Sequence, residues 1–371
     1  MNMYKKLLAA VLAVMLLAGC SSGNQGAKEL SPMDQFHEML NPEEDNDKFD
    51  KKDFAEVDTQ GRYGLYYYDY TQDYHFDEFL EDGGADSQRR LVLNAMDYFP
   101  DIELDQQNMG YGCSSYFARG KDGDYVMGRN FDMSSSTTGN YLVLHTHPKD
   151  GYESYSTVNL KFLGLTDPPM KPEDGTSPLL LAPYAALDGI NSQGVAICVL
   201  QLNTKPIAYE GQGDIDHTPT TLIRHVLDRA KNLEEALEIM ESSGLYTEGF
   251  AYHFMVADAS GHGAVMEYVD NEITVVYLED DPALICANTY VSRQGRRIYS
   301  VRDGNESDKR CEKIASALEA LDYDLDTDGA MDALSAAWVS TTRWSIVFDL
   351  TDRSMVITVN RDKENRYTFR A

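Results

Sequence analysis

The step from Gly112 to Cys113 has the residue types that a self-activating thiol nucleophile needs. A thiol attacks an amide carbonyl only when a base removes its proton and when donors hold the developing oxyanion. If the bond between Gly112 and Cys113 were cut, the freed α-amino group would be a base on the same residue, with a pKa of about 8. Glycine suits this step because a residue without Cβ tolerates a strained backbone. The pair therefore predicts a processing site and a catalytic thiol.

The other cysteines suggest no comparable chemistry. Cys198 and Cys286 lie inside apolar runs, where a free thiol behaves as a small hydrophobic side chain, and Cys311 falls on a predicted helix. An even number of cysteines in an exported protein permits disulfides, but these positions favour buried thiols. We interpret the three as structural and Cys113 as the exception.

The N-terminus has the features of an export signal. Lys5 and Lys6 precede an apolar run over residues 7–18, which is too short to cross a bilayer. The run closes with Leu-Ala-Gly-Cys, which is similar to a bacterial lipobox, so Cys20 is the expected lipidation site. We expect an exported protein held on the extracellular face of the bacterial cell membrane by this lipid. A plain secretory signal cut near Ala18 is the alternative.

Composition narrows the class of protein. The chain has 371 residues, 43% of them hydrophobic, and it carries a formal net charge of −29 at pH 7. The apolar content is sufficient for a large core, whereas the acidity argues against a nucleic-acid partner. We expect no nucleic-acid binding, and the charge itself does not name a substrate.

Changes in composition divide the chain into four stretches. They are a lipoprotein signal peptide (residues 1–19), an acidic tether (20–53), a partly helical pro-region (54–112) and the catalytic domain (113–371). The tether is too polar to bury a core of its own. The pro-region contains one predicted helix, from Ser87 to Tyr98, which a following proline ends.

From Cys113 onward, short β-branched and aromatic runs alternate with turn residues. This texture predicts many antiparallel strands, beginning with a hairpin around GKDGD. Helices are predicted over about residues 220–230, 233–242, 308–321 and 329–338, where apolar residues recur at helical spacing. The pattern predicts an α+β fold in which two antiparallel sheets stack face to face beneath covering helices.

Two short motifs imitate metal sites. His145 and His147 alternate on a predicted strand, so both rings face one side, but two histidines alone do not make a zinc site. The stretch from Asp324 to Gly329 resembles the start of a calcium loop, but Ser335 stands where a bidentate glutamate is needed. We interpret the histidines as ordinary strand residues and the second motif as a capped helix start. Neither a metal nor another cofactor is expected.

The hairpin that starts at Cys113 and ends in GRNFD resembles the choloylglycine hydrolase family of linear amide C–N hydrolases. This family of N-terminal nucleophile (Ntn) hydrolases includes bile salt hydrolases and penicillin V acylases. Further matches, in the family's order, are DGINSQGVAICVLQL, YHFMVADASGHGAVMEY, ICAN and TTRWSIVFDL. The preceding glycine and the long pro-region are similar to isopenicillin N acyltransferase and acid ceramidase, which expose their cysteine by self-cleavage. The resemblance implies an αββα sandwich and a cut between Gly112 and Cys113.

The resemblance assigns roles around the nucleophile. Cys113 would attack the substrate, and its own α-amine would be the base. Arg129 would stabilise the thiolate. Asp132 would accept a hydrogen bond from the α-amine and orient it.

It also assigns the remaining polar groups. Asn288 would donate its side-chain amide to the oxyanion. Gln201 falls at the position of a second such group, with Asn203 as a competitor. Arg310 aligns with the family's other active-site arginine, although on sequence alone it is equally consistent with a solvated helix residue.

These observations predict an exported amidase that cleaves a small N-acyl amide through a thioester on Cys113. An acyltransferase that passes the same acyl group to an amine is one alternative. A surface lipoprotein that binds an acyl or peptide ligand without turnover is another, and it predicts an uncut chain. A Cys-His peptidase that uses His253 or His217 ranks last, because the sequence around the cysteine lacks the signatures of such enzymes.

Cleavage would separate the lipid anchor from the nucleophile. The segment from Cys20 to Gly112 would then either stay docked on the catalytic part or release it from the membrane. We expect docking, and a homo-oligomer is possible. The substrate itself stays open among bile conjugates, penicillins, acyl amino acids and N-acyl lipids.

Overall fold

The computed structural model describes residues 53–60, 63–99, 111–120, 123–134, 140–165 and 178–370. The predicted signal peptide, the lipidation site at Cys20 and nearly all of the acidic tether lie outside these ranges. Export and lipidation stay predictions. Within the ranges described, no helix combines the length and the apolar character needed to span a membrane.

The described residues form eighteen strands and seven α-helices. The strands are β1 (Phe54–Glu56), β2 (Gly64–Tyr70), β3 (Gly112–Arg119), β4 (Tyr125–Asp132), β5 (Asn140–Thr146), β6 (Ser154–Asn159), β7 (Asp188–Asn191), β8 (Ala196–Leu202), β9 (Ala208–Tyr209), β10 (Asp216–His217), β11 (Gly244–Tyr246), β12 (Ala251–Ala257), β13 (Gly263–Val269), β14 (Glu272–Tyr277), β15 (Ala283–Cys286), β16 (Thr342–Asp349), β17 (Ser354–Val359) and β18 (Tyr367–Arg370). The helices are α1 (Phe76–Glu81), α2 (Gln88–Tyr98), α3 (Pro219–Arg229), α4 (Leu233–Ser242), α5 (Arg293–Ile298), α6 (Glu306–Ala320) and α7 (Thr327–Ser335). Two 3₁₀ helices cover Leu160–Leu163 and Pro178–Ala185.

Two large sheets dominate the architecture. One has nine strands in the order β1-β2-β5-β6-β7-β8-β12-β13-β14, and the other has six in the order β15-β3-β4-β16-β17-β18. All neighbouring strands in them run antiparallel except β2 and β5, which are parallel. A small third sheet joins β10, β11 and β9. The predicted α+β fold with stacked sheets and helices is confirmed.

The alternation of side chains along each strand sets the layers. Leu65 of β2 and Val143 of β5 belong to a core shared with the six-stranded sheet, which contributes Phe117 and Trp344. The opposite face of β2 and β5 packs in a second cluster with Phe76 and other residues of α1. On the far side of the six-stranded sheet, α6 and α7 cover a third cluster. Helices therefore lie outside both sheets.

The region before Cys113 is built into the large sheet. Its predicted helix is confirmed as α2, where the Ser87 hydroxyl accepts a hydrogen bond from the Arg90 N–H at 3.2 Å. The sequence analysis did not predict β1 and β2, and β2 lies between β1 and β5 rather than at an edge. Residues 48–371 form one compact unit. The stretches 54–112 and 113–371 thus share one fold, and a cut between them stays a prediction.

Side-chain caps fix the starts of several helices. In α7 the Asp326 carboxylate accepts a hydrogen bond from the Gly329 N–H at 2.7 Å, which satisfies one of the free amides of the first turn. The interpretation of this motif as a capped helix start is confirmed. The Asn232 side chain caps α4 in the same way, through the Glu235 N–H at 2.9 Å.

Candidate active site

Cys113 is the second residue of β3 and is fully buried in the core between the two large sheets. The β3–β4 hairpin pairs Cys113 with Phe131 and Gly112 with Asp132. The same hairpin carries Arg129 on β4, and its Nη2 lies 3.3 Å from the Cys113 sulfur. The predicted nucleophile, processing residue, arginine and aspartate therefore meet because they share one hairpin.

Arg129 is held in place by a buried network. It is fully buried, and its Nη2 also donates to the Val199 carbonyl at 2.9 Å. Its Nη1 forms an ion pair with Asp188, the first residue of β7. Asp188 in turn accepts hydrogen bonds from Thr157 and from the Trp344 indole, the latter at 3.4 Å. The guanidinium is therefore fixed toward the sulfur by groups from the opposite sheet.

Asp188 was not predicted as a site residue. A buried arginine needs a buried acidic partner, because an unpaired charge in the core is costly. The sequence contained one indication, since the matched segment DGINSQGVAICVLQL begins at this aspartate. The pairing could not be predicted because Asp188 and Arg129 are far apart along the chain and lie on different sheets, which meet only in the folded protein.

In the uncut chain, burial has the largest effect on the pKa of the Cys113 thiol. Removal from water raises the thiol pKa above its ordinary value, and the charge of Asp132 raises it further. Arg129 and Arg310 act in the opposite direction. The direction expected for Arg129 is therefore present, but burial outweighs it, and the thiol is protonated at neutral pH.

Arg310 reaches Cys113 from helix α6. Its Nη1 donates to the main-chain carbonyl of Cys113 at 3.1 Å, and its Nη2 donates to the Ser114 hydroxyl at 3.1 Å. The same Nη2 lies 2.6 Å from a carboxylate oxygen of Asp132. The other oxygen of Asp132 accepts a hydrogen bond from the Thr342 hydroxyl at 2.6 Å. Arg310 is thus placed at the site and not on a solvated helix face.

Asn288 and Gln201 hold the backbone on either side of Gly112. The Cys113 N–H donates to the Asn288 side-chain oxygen at 2.9 Å, and the Tyr111 N–H donates to the Gln201 side-chain oxygen at 2.7 Å. The Asn288 amide donates to the Gln201 carbonyl at 2.7 Å. In the uncut chain Asn288 thus faces the nitrogen of the predicted scissile bond with an acceptor. Its oxyanion role and that of Gln201 stay predictions, whereas the competitor Asn203 is exposed beyond the end of β8.

The two histidines of the peptidase alternative are engaged elsewhere. His253 lies against Glu267 with one ring nitrogen and against the Ala287 carbonyl with the other, at 3.4 and 2.8 Å. His217 bonds to Thr221 and His225. Among the hydrogen bonds of the described residues, none joins either histidine to Cys113.

A cavity of about 300 Å³ lies beside Tyr111. Its lining is mainly apolar and aromatic, and it comes from both sides of the predicted cut. Leu91 and Val92 of α2 contribute before the cut, whereas Phe162 and Tyr252 contribute after it. Apolar lining with few polar groups is typical of small-molecule sites.

The described residues around Cys113 include no group of three metal-binding side chains, and such groups occur elsewhere in the part of the chain that is described.

Comparison with known proteins returns one family model and similar solved structures. Residues 118–364 match the family model of acyl-coenzyme A:6-aminopenicillanic acid acyl-transferase. Among solved structures, penicillin V acylase from Agrobacterium tumefaciens is similar with 17% sequence identity and a TM-score of 0.51, over 70% of this chain and 86% of that one. A variant of conjugated bile acid hydrolase from Clostridium perfringens has 13% identity and a TM-score of 0.49, over 70% of this chain and 92% of that one.

The comparison with curated proteins returned no match. The family match begins five residues after Cys113, so the predicted nucleophile stands just outside it. The match nonetheless contains Arg129, Asp132, Asn288 and Arg310, and the penicillin V acylase likeness supports the fold. The chain belongs to the acyl-coenzyme A:6-aminopenicillanic acid acyl-transferase family of Ntn hydrolases.

Proposed function

We propose that this chain is a precursor that cuts itself between Gly112 and Cys113 and then hydrolyses a linear N-acyl amide through a thioester on Cys113. The observation that carries the proposal is the 3.3 Å contact between the Arg129 guanidinium and the Cys113 sulfur. A buried cation beside a sulfur stabilises the thiolate, which is the form that attacks carbonyls.

The first reaction uses the chain as its own amide substrate. The Cys113 sulfur attacks the Gly112 carbonyl carbon, a carbon–sulfur bond forms, the peptide C–N bond breaks, and the nitrogen takes the thiol proton. Water then hydrolyses the thioester, which leaves a carboxylate on Gly112 and a free thiol and amine on Cys113. Asn288 and Arg310 support this step by holding the N–H and the carbonyl of Cys113.

In the reaction with a substrate, the α-amine of Cys113 that the cut has freed acts as the base. It takes the thiol proton as the sulfur attacks the substrate and gives it to the leaving amine. Water hydrolyses the acyl-enzyme in the proposed reaction. An acyltransferase differs only in the nucleophile that takes the acyl group, and the family description favours keeping it as the second candidate.

The precursor itself indicates where the acyl group would bind. In the self-cutting step the chain before the scissile bond is the acyl side of the amide. The Tyr111 ring on that side packs against Phe131 and Tyr252 at centroid distances of 5.2 and 5.7 Å, and it lines the cavity. We propose that the acyl part of the substrate takes this place after the cut, which favours apolar or aromatic acyl groups.

The deciding experiment is intact mass and N-terminal sequencing of the purified protein. We expect a fragment that begins Cys-Ser-Ser-Tyr and that hydrolyses N-acyl amides. Cys113→Ala should give one uncut and inactive chain. Cys198→Ala, which removes another buried thiol from the same core, should still be cut. A wild-type chain that stays uncut and inactive, or a Cys113→Ala chain that is still cut, would overturn the proposal.

The test also separates the other candidates. An uncut chain that binds an acyl ligand would favour the binding-protein alternative. Activity that appears only when an acceptor amine is added would favour acyl transfer over hydrolysis.

We further propose export and a lipid on Cys20. A membrane-bound precursor whose mass carries the lipid, and which loses it in Cys20→Ala, would support this part. A mature chain without lipid would contradict it.

A further inference from the structure

Three metal-binding side chains converge on β2 and β5, near one edge of the nine-stranded sheet, whereas Cys113 belongs to the six-stranded sheet. Asp69 lies near the end of β2, His145 lies near the end of β5, and His147 follows β5 directly. The parallel register of β2 and β5 places Asp69 opposite His145. Because side chains alternate along a strand, the two histidines project from the same face.

The distances within this cluster fit a single ion. One carboxylate oxygen of Asp69 lies 2.7 Å from His147 Nε2 and 3.1 Å from His145 Nδ1. Zinc binds nitrogen and oxygen ligands at about 2.0–2.2 Å, so ligand atoms around a tetrahedral ion lie about 3.3 Å apart. The Asp69 oxygen therefore needs to move away from the two nitrogens by about 0.6 and 0.2 Å to receive an ion. The three ligand atoms all lie within 4.8 Å of one another.

Neighbouring groups would hold the histidines in position. A Glu153 oxygen lies 3.3 Å from Nδ1 of His147, which is the ring nitrogen that does not face Asp69. A carboxylate on the second nitrogen of a metal-bound histidine fixes its orientation and raises its basicity. The Tyr155 ring stacks on His145 at a centroid distance of 4.2 Å. The Tyr67 hydroxyl, 3.2 Å from His145 Nδ1, would give up that contact to the ion.

The cluster is open enough for an ion and a water molecule to enter. The side chains of Asp69 and His147 are 37% and 31% exposed, whereas His145 is 12% exposed. Two imidazoles with one carboxylate favour zinc and similar transition metals over magnesium or calcium, which prefer oxygen ligands.

We propose that Asp69, His145 and His147 form a zinc site with water in the fourth position. The interpretation of the two histidines as ordinary strand residues rested on the absence of a third ligand. That ligand comes from β2, a strand that the sequence analysis did not predict.

The site joins two parts of the chain that the proposed cut would separate. Asp69 precedes Cys113 and the histidines follow it. The zinc site itself exists in the uncut chain and does not depend on processing. Its consequence, that the ion clamps the upstream fragment onto the catalytic fragment, rests on the proposed function.

The site is tested on the full chain after removal of metal with EDTA and dialysis. With zinc chloride as the probe, we expect about one bound zinc per chain by elemental mass spectrometry. We also expect the melting temperature to rise by about 5 °C at zinc concentrations far above Kd. The Cys113→Ala chain should give the same result, which separates the site from the cut.

Two variants and one control decide the assignment. Asp69→Asn preserves the shape of the side chain and should lose most zinc binding, and His147→Ala should lose it too. His262→Ala removes a histidine whose side chain is 68% exposed and should bind zinc like the wild type. Zinc stoichiometry that is equal in the wild type and in Asp69→Asn would overturn the site.

The clamp is tested on the wild-type protein as isolated, in mild urea with zinc or with EDTA. We expect EDTA to release the upstream fragment at a lower urea concentration. Equal release with and without zinc, or a chain that is never cut, would overturn the clamp while the stoichiometry still decides the site.

Discussion

At the scale of single residues, opposing influences act on the thiol of Cys113, the predicted nucleophile. Burial raises the thiol pKa of Cys113. The Arg129 Nη2 lies 3.3 Å from the sulfur, where its charge would stabilise the thiolate. Arg129 is itself held toward the sulfur by Asp188 and the Val199 carbonyl, so its position does not depend on a substrate. Such fixed charges act without reorganisation during a reaction.

The raised thiol pKa predicts the pH dependence of the proposed self-cutting. Only the thiolate attacks, and a pKa above the ordinary value of about 8.5 leaves a small thiolate fraction at pH 7. The rate should therefore rise about tenfold per pH unit between pH 6 and 8 and level off above the thiol pKa. Freshly synthesised chain from a cell-free system, shifted to buffers across this range, gives the rate as loss of intact mass.

A matched variant tests the cause of this pH dependence. Arg129→Gln removes a cation that lowers the thiol pKa, so its profile should move to higher pH and its rate at pH 7 should fall. A rate that decreases between pH 6 and 8 would contradict thiolate attack as the limiting step.

At the scale of elements, local patterns predicted most of the secondary structure. The run GAVMEYV gave strand β13, and the helix predicted over residues 233–242 coincides with α4. The tyrosine-rich strand β2 was not predicted. Both of its faces are largely buried, so polar and apolar residues do not alternate along most of it. Local pattern also cannot show which strands become neighbours.

In the candidate site, too, contacts within one hairpin could be predicted from the sequence, whereas contacts between sheets could not. The residues of the β3–β4 hairpin could be predicted together because a tight hairpin brings them together. Asp188 could not, since its pairing with Arg129 arises only when two sheets stack. The zinc ligands depend on the parallel pairing of β2 with β5, two strands that the predicted cut separates along the chain.

Helix α2 leads to a prediction about substrate choice. Val92 of this helix lines the cavity, whereas Leu93 beside it points outward and is 46% exposed. Val92→Trp should fill part of the 300 Å³ space and lower kcat/KM for long-chain N-acyl amides at least tenfold, with a smaller loss for N-acetyl amides. The measurement is kcat/KM across a series of acyl chain lengths.

Leu93→Trp is the control for this prediction. It adds the same side chain to the same helix on the solvent side, so the chain-length profile should match that of the wild type. Equal effects of the two substitutions would show that the cavity does not bind the acyl group.

At the scale of the whole molecule, the segment before the proposed cut is a structural part of the fold. Strand β2 pairs with β5 along its whole length, and β1 adds to its other edge. Tyr66 and Tyr70 of β2 lie on the face of the sheet that points away from the six-stranded sheet. They are fully buried there, in one cluster with residues of α1. Losing this segment would expose that apolar surface and unpair a central strand, both of which are unfavourable in water.

We therefore expect the two fragments to stay together after the proposed cut. Processed wild-type protein should elute from a size-exclusion column as one species that contains both fragments, and they should separate only in denaturant. The uncut Cys113→Ala chain gives the reference elution volume. If a lipid is present on Cys20, this association keeps the nucleophile at the membrane although no peptide bond links the two. A catalytic fragment that elutes alone in native buffer would contradict docking, and the cut would then release the enzyme from its anchor.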